Sequence, residues 1–178
     1  MSKSHATKER LSGSRGIKIS EGVRIERPAE DVFDFWRDLP NLPRFMAYVD
    51  RIDLLGDGMS HWVIKGPGGA KLEWDAKIIN EQRPRLLAWE SIGAADVASA
   101  GSVKFTALSA DATHVEVRLQ YDPPAGKIGA GMATIVGLSP AKVLREDLHR
   151  LKQLLESDGW RAGGVDAAQM WLHGRGGV

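Results

Sequence analysis

The sequence predicts an α+β domain: one strand, two short helices, six further strands and a long closing helix. Three observations predict it. Between residues 48 and 121 apolar side chains recur at every second position in short runs broken by Gly- and Pro-rich turns. That is the mark of half-buried antiparallel strands. Leu144, Leu148, Leu151 and Leu155 recur at spacings of four, three and four, which puts one apolar stripe on a helix. Finally, 178 residues suit one domain, and a chain of this size buries roughly 70 % of the surface it exposes when unfolded.

The elements follow in order. Ile17, Ile19, Val23 and Ile25 occupy alternate positions and predict a strand over 17–25. Arg27-Pro28-Ala29-Glu30-Asp31 opens a helix, because proline suits the first helical position and acidic residues complement the positive end of the helix dipole. Val32, Phe33 and Trp36 form its apolar stripe, and Pro40 stops it, leaving room for one short helical turn over 39–45. Strands are expected over 48–55 and 60–65, joined by Gly56-Asp57-Gly58, with Gly66-Pro67-Gly68-Gly69 as the next turn. Over 71–79, Leu72, Trp74, Ala76 and Ile78 share one face while Lys71, Glu73, Asp75 and Lys77 share the other. Further strands are predicted over 86–92, 102–108 and 113–121. Ser139 caps the last helix with Pro140 at its first position, Glu146 and Arg150 form a solvent-side pair, and Gly159 ends it.

Composition bounds the rest. Residues 1–15 are polar and read as a disordered tail, and 159–178 as a loose Gly-rich tail whose Trp160, Met170, Trp171 and Leu172 could dock elsewhere. The domain is thus 16–158. A net charge of +1 argues against nucleic acid as the main partner. The absence of cysteine removes thiol chemistry, zinc ribbons and disulfides. His61, His114 and His149 lie on separate elements and His5 and His173 in the tails, so no metal site and no cofactor are expected. The longest uncharged run, 128–141, is too short to span a bilayer, and the polar start has no secretory pattern, so a cytoplasmic location is expected.

With these residues in order, a family resemblance emerges. Its carriers are Arg27-Pro28-Ala29-Glu30-Asp31-Val32-Phe33 with Trp36, Asn41-Leu42-Pro43-Arg44-Phe45, Trp74, Trp89, Gly101-Ser102-Val103-Lys104-Phe105, Thr113-His114-Val115 and Tyr121-Asp122-Pro123-Pro124. Over about 17–157 the chain resembles the polyketide cyclase/dehydrase branch of the START-like (SRPBCC) superfamily. The resemblance implies a helix-grip fold: a curved antiparallel sheet wrapped around the C-terminal helix, with a cavity between them. It implies an apolar ligand such as a lipid, sterol or polyketide, and in some members cyclisation or dehydration of that ligand. It carries no catalytic residue across, and none is assigned.

The residues themselves narrow the site. Gly66-Pro67-Gly68-Gly69-Ala70-Lys71 lacks the spacing of a phosphate loop and leads into a strand, so it is a hairpin turn. Gly129-Ala130-Gly131-Met132 lacks the third glycine of a dinucleotide fingerprint. Trp74, Trp89, Phe105, Tyr121 and Phe45 fill the core or line a pocket; as a group, under the implied fold, they are expected to line one. Met132 from the 122–137 loop and Leu144 and Leu148 from the helix stripe complete the expected binding set. That loop joins a stiff Pro-Pro start to four glycines and several apolar side chains, a composition suited to gating a cavity mouth or touching a membrane transiently. Tyr121, Ser91 and Tyr48 are the inward polar groups, with Glu90 and Arg118 outward, so the interior is expected to be poor in acid–base groups. The reading is a binder of a hydrophobic small molecule or lipid. The alternatives are a cyclase/dehydratase using the same cavity, and an interaction module working through Trp160 and Trp171.

Overall fold

The computed structural model describes residues 16–66, 69–122 and 139–161. Seven strands form one antiparallel sheet: β1 (Ile17–Ile25), β2 (Val49–Gly56), β3 (Met59–Lys65), β4 (Lys71–Gln82), β5 (Leu86–Ile92), β6 (Ser99–Ser109) and β7 (Ala112–Tyr121). Their spatial order is β1-β7-β6-β5-β4-β3-β2. Consecutive strands from β2 to β7 pair as hairpins, and β1 pairs with β7. The chain therefore crosses from one sheet edge to the other after β1, by way of α1 (Ala29–Arg37) and a 3-10 turn (Leu39–Arg44). The final helix, α2 (Pro140–Glu156), lies against β1. This is the helix-grip architecture, a curved sheet closed by a C-terminal helix.

Local chemistry explains the elements. The Ser139 hydroxyl accepts from the Lys142 N–H at 3.2 Å and Pro140 follows, so α2 starts where the sequence places its cap. Leu144, Leu148, Leu151 and Leu155 are all buried. Two strands outrun their predicted bounds by three residues at one end. A bulge between Ile78 and Asn80 breaks the alternation, leaving Ile79 54 % exposed, yet β4 continues to Gln82. Two strands away, β6 begins with Ser99, Ala100 and Gly101, whose small residues give no apolar alternation to read.

One face of the sheet carries the apolar rows. Ile19, Leu119, Gly101, Trp89 and Ile78 stand side by side across five strands, and Val23, Val115 and Phe105 form a parallel row farther along. At that far end α1 closes the sheet with Val32, Phe33 and Trp36, each at most 1 % exposed. The Phe105 ring meets Phe33 edge-on at 5.3 Å and Trp36 at 6.2 Å, and Phe45 lies 5.3 Å from Trp36. Such aromatic pairs add about 0.5–1.5 kcal/mol each beyond their burial.

The body extends past α2. Trp160 packs edge-on against Phe35 at 6.2 Å, with the guanidinium groups of Arg27 and Arg161 over its ring at 5.9 and 4.7 Å. Arg44 donates to the Trp160 carbonyl at 3.3 Å, and Arg161 pairs with Asp31. The sequence reads a loose tail from 159 on with docking of Trp160 as the alternative, because a tryptophan among glycines has no periodic partner. Phe35 of α1, Arg44 of the 3-10 turn and Arg27 before α1 all stand more than a hundred residues earlier. Residues 1–15, the 123–138 stretch of the expected gate and 162–178 lie outside the described residues.

Candidate functional site

At the end of the sheet opposite the α1 plug, the face toward α2 is hollow. The cavity has a volume of about 250 Å³. Its floor comes from the sheet: Trp62 and Ile64 of β3, Leu72 and Trp74 of β4 and Trp89 of β5, with Leu119 and Tyr121 of β7 and Ile19 of β1. Across from them stand Val143, Leu144 and Asp147 of α2, and Met46, Tyr48 and Val49 where the 3-10 turn runs into β2.

The tryptophans are held by their strands. Trp62 and Trp74 are cross-strand partners, with ring centroids 6.1 Å apart and planes at 11°. Trp62 and Trp89 lie 6.5 Å apart at 14°. The three indole planes are nearly parallel and offset-stacked, so the rings form one aromatic cluster along the wall. Trp62 is anchored by its Nε1–H, which donates to the Ser60 hydroxyl at 2.9 Å. Beside Trp89 the neighbouring β6 residue is Gly101, and its missing side chain is what allows the indole to lie against the strand. A connecting segment completes the wall: Asp96 exchanges hydrogen bonds with the Glu73 backbone and places Val97 in the cavity.

The polar groups are few and differ in depth. Burial pushes the Tyr121 phenol up, so it remains a neutral donor at physiological pH. Lys65 is exposed and stands at the rim. Asp147 is deep, with only 9 % of its side chain exposed. Its Oδ1 accepts the Ala47 N–H at 3.1 Å and a guanidinium N–H of Arg150. Arg150 also donates through Nε to the Phe45 carbonyl at 2.9 Å, so the pair clasps α2 to the segment entering β2. Burial pushes the Asp147 carboxyl up, and the bonds from Ala47 and Arg150 offset that only in part.

The structure gathers part of the expected set. Trp74, Trp89, Tyr121 and Leu144 line the cavity. Phe45, Phe105 and Leu148 do not: each is at most 2 % exposed and built into the solid core. Phe45 and Phe105 lie at the end that α1 fills, against Trp36. Met132 lies outside the described residues. Glu90 is absent from the wall, since its neighbour Trp89 takes the inward position.

The interior, expected to be poor in acid–base groups, holds one that the pattern did not single out, Asp147. One further expectation is corrected. The pair on α2 is Asp147 with Arg150, while Glu146 lies 4.0 Å from Lys142 instead. The signal for Asp147 is present in the sequence: it stands three residues after Leu144 and four before Leu151, within the apolar stripe. An acidic residue there reads as an interruption until something is seen opposite it. Trp62 carries its own signal, as Ser60, Trp62 and Ile64 alternate inward on β3.

Outside the cavity, His61 contacts Asp75 at 2.7 Å on the opposite face of β3 and β4. Among the described residues no cluster of His, Asp and Glu fits a metal ion, and no helix is long and apolar enough to cross a membrane.

Comparison with known proteins places these features. Residues 16–156 match the family model described as polyketide cyclase / dehydrase and lipid transport. A protein of known structure from Deinococcus radiodurans is 31 % identical, covering 79 % of this chain and 98 % of its own at a TM-score of 0.64. Two more distant structures share the fold. One is a START superfamily protein from Mycobacterium smegmatis, 14 % identical, with 75 % and 98 % of the two chains covered and a TM-score of 0.56. The other is the ZhuI aromatase/cyclase from a Streptomyces species, 15 % identical, with 79 % and 96 % covered and a TM-score of 0.57.

Proposed function

The chain belongs to the polyketide cyclase/dehydrase and lipid transport family, and from that premise we propose that it binds one hydrophobic small molecule or lipid-like metabolite between α2 and the sheet. The observation that carries this reading is the hollow of about 250 Å³ walled by Trp62, Trp74 and Trp89. Solid packing is the rule for protein interiors, and this same sheet is solidly packed at its other end. Each ångström squared of apolar ligand surface buried there yields about 25 cal/mol. An aromatic bicycle burying about 200 Å² therefore gains roughly 5 kcal/mol before the cost of association.

Native mass spectrometry after gentle purification tests this reading. The expected result is a co-purifying mass that disappears in Leu144→Trp, a substitution that fills the hollow from the helix side. A protein that carries nothing and takes up no apolar probe overturns it.

One observation favours a second reading, a cyclase/dehydratase-type enzyme. Such chemistry moves protons at a bound substrate, and Asp147 supplies a buried carboxyl with a raised pKa in the wall. The stacked indoles would pack against a folded conjugated chain while that carboxyl acts at one edge. This reading requires that Asp147→Asn abolish turnover while leaving affinity for the product within about threefold.

A further inference from the structure

Asp147 carries more than a place in the wall. Both hydrogen bonds that the described residues give it end on the same oxygen, Oδ1. Oδ2 has no partner among the described residues, and the residue borders the cavity. A carboxylate has two acceptor oxygens, and one left unpaired in apolar surroundings is costly. The counter-ion does not reach the same space. Arg150 bonds Oδ1 and the Phe45 carbonyl, and it forms no part of the cavity wall. A molecule in the hollow thus meets the carboxylate rather than the guanidinium. The other charged residue of the wall, Lys65, stands exposed at the rim.

We propose that the cavity selects an apolar ligand bearing a hydrogen-bond donor, a hydroxyl or protonated amine, which it pairs with Oδ2 of Asp147, and that it disfavours the matching carboxylic acid. This rests on the cavity reading above and specifies the chemistry of its ligand. A donor group satisfies Oδ2 and is drawn to the negative charge. An acid brings a second negative charge toward the first, or turns its headgroup to Lys65 at the mouth and leaves Oδ2 unpaired.

The test compares four probes with one apolar body: naphthalene, 2-naphthylmethylamine, 2-naphthalenemethanol and 2-naphthoic acid. Affinities come from isothermal titration calorimetry at pH 7.5, and location from the indole N–H resonances of Trp62, Trp74 and Trp89. The amine and the alcohol are expected to bind at least tenfold tighter than the acid. In Asp147→Asn the advantage of the amine over the acid should fall to within about threefold. An acid that binds wild-type protein as tightly as the amine overturns the inference while leaving the cavity reading intact. So does a ranking that Asp147→Asn leaves unaltered. If none of the four binds, naphthalene included, the cavity reading falls and takes the inference with it. The wild-type ranking decides the matter even if the variant does not fold.

Discussion

Gly101 and Trp89 are cross-strand neighbours on β6 and β5, and a Cβ atom at position 101 would stand 2.4 Å from Cζ2 of the Trp89 indole. The same Cβ would meet Leu119 Cδ2 at 2.8 Å, so the glycine is confined from two sides. Real Cβ atoms essentially never approach non-bonded atoms that closely. The indole therefore owes its pose at the cavity to the side chain that Gly101 lacks.

Gly101→Ala forces Trp89 away from β6. The expected cost is about 1–3 kcal/mol of stability from overpacking, together with a changed near-ultraviolet circular dichroism band from the coupled indoles. Apolar ligand affinity should fall at least tenfold. An alanine variant with unchanged dichroism and affinity would show that Trp89 is not held in this way.

Trp74 and Phe105 separate cavity from core. Phe105→Ala removes a ring packed among Phe33 and Trp36 and should cost about 3–5 kcal/mol in urea unfolding. Trp74→Ala removes a half-buried ring at the hollow. It should cost less than Phe105→Ala in unfolding while weakening ligand binding severalfold. Reversal of that order would place the binding surface at the wrong end of the sheet.

The pH dependence of Asp147→Asn has a definite sign. Burial raises the folded carboxyl above its unfolded value of about 3.9, so the folded state holds its proton more tightly. The stability this confers is fully present below the unfolded value and is lost as pH rises through the folded one. Asparagine does not titrate, so the stability difference should shift in favour of the variant between pH 4 and pH 7. Paired urea unfolding curves measure it, and a difference that stays flat or moves toward wild type refutes the assignment.

Trp160→Ala loses an edge-on contact with Phe35 and two guanidinium contacts. A loss of about 1–3 kcal/mol is expected, without any change in affinity for an apolar probe, because Trp160 lies outside the cavity. Thermal melts and calorimetry on one preparation check both halves.

Much of this protein is legible in its sequence because the relevant signals are local. Alternation within single strands puts Trp74, Trp89 and Tyr121 on the face toward α2, and leucine spacing puts Leu144 and Leu148 on the opposing helix face. Face is a property of a residue and its near neighbours, so the period reveals it. How far along a strand the opposing layer reaches is not such a property. That distance makes Phe105 core and leaves Trp89 at a hollow, although both point inward. It is fixed by Phe33 and Trp36, which a crossover brings to one end of the sheet, and by the glycine at position 101. Asp147 is the same lesson on the helix: its spacing states that it turns inward, and only the chain folded around it determines that the carboxyl meets a cavity.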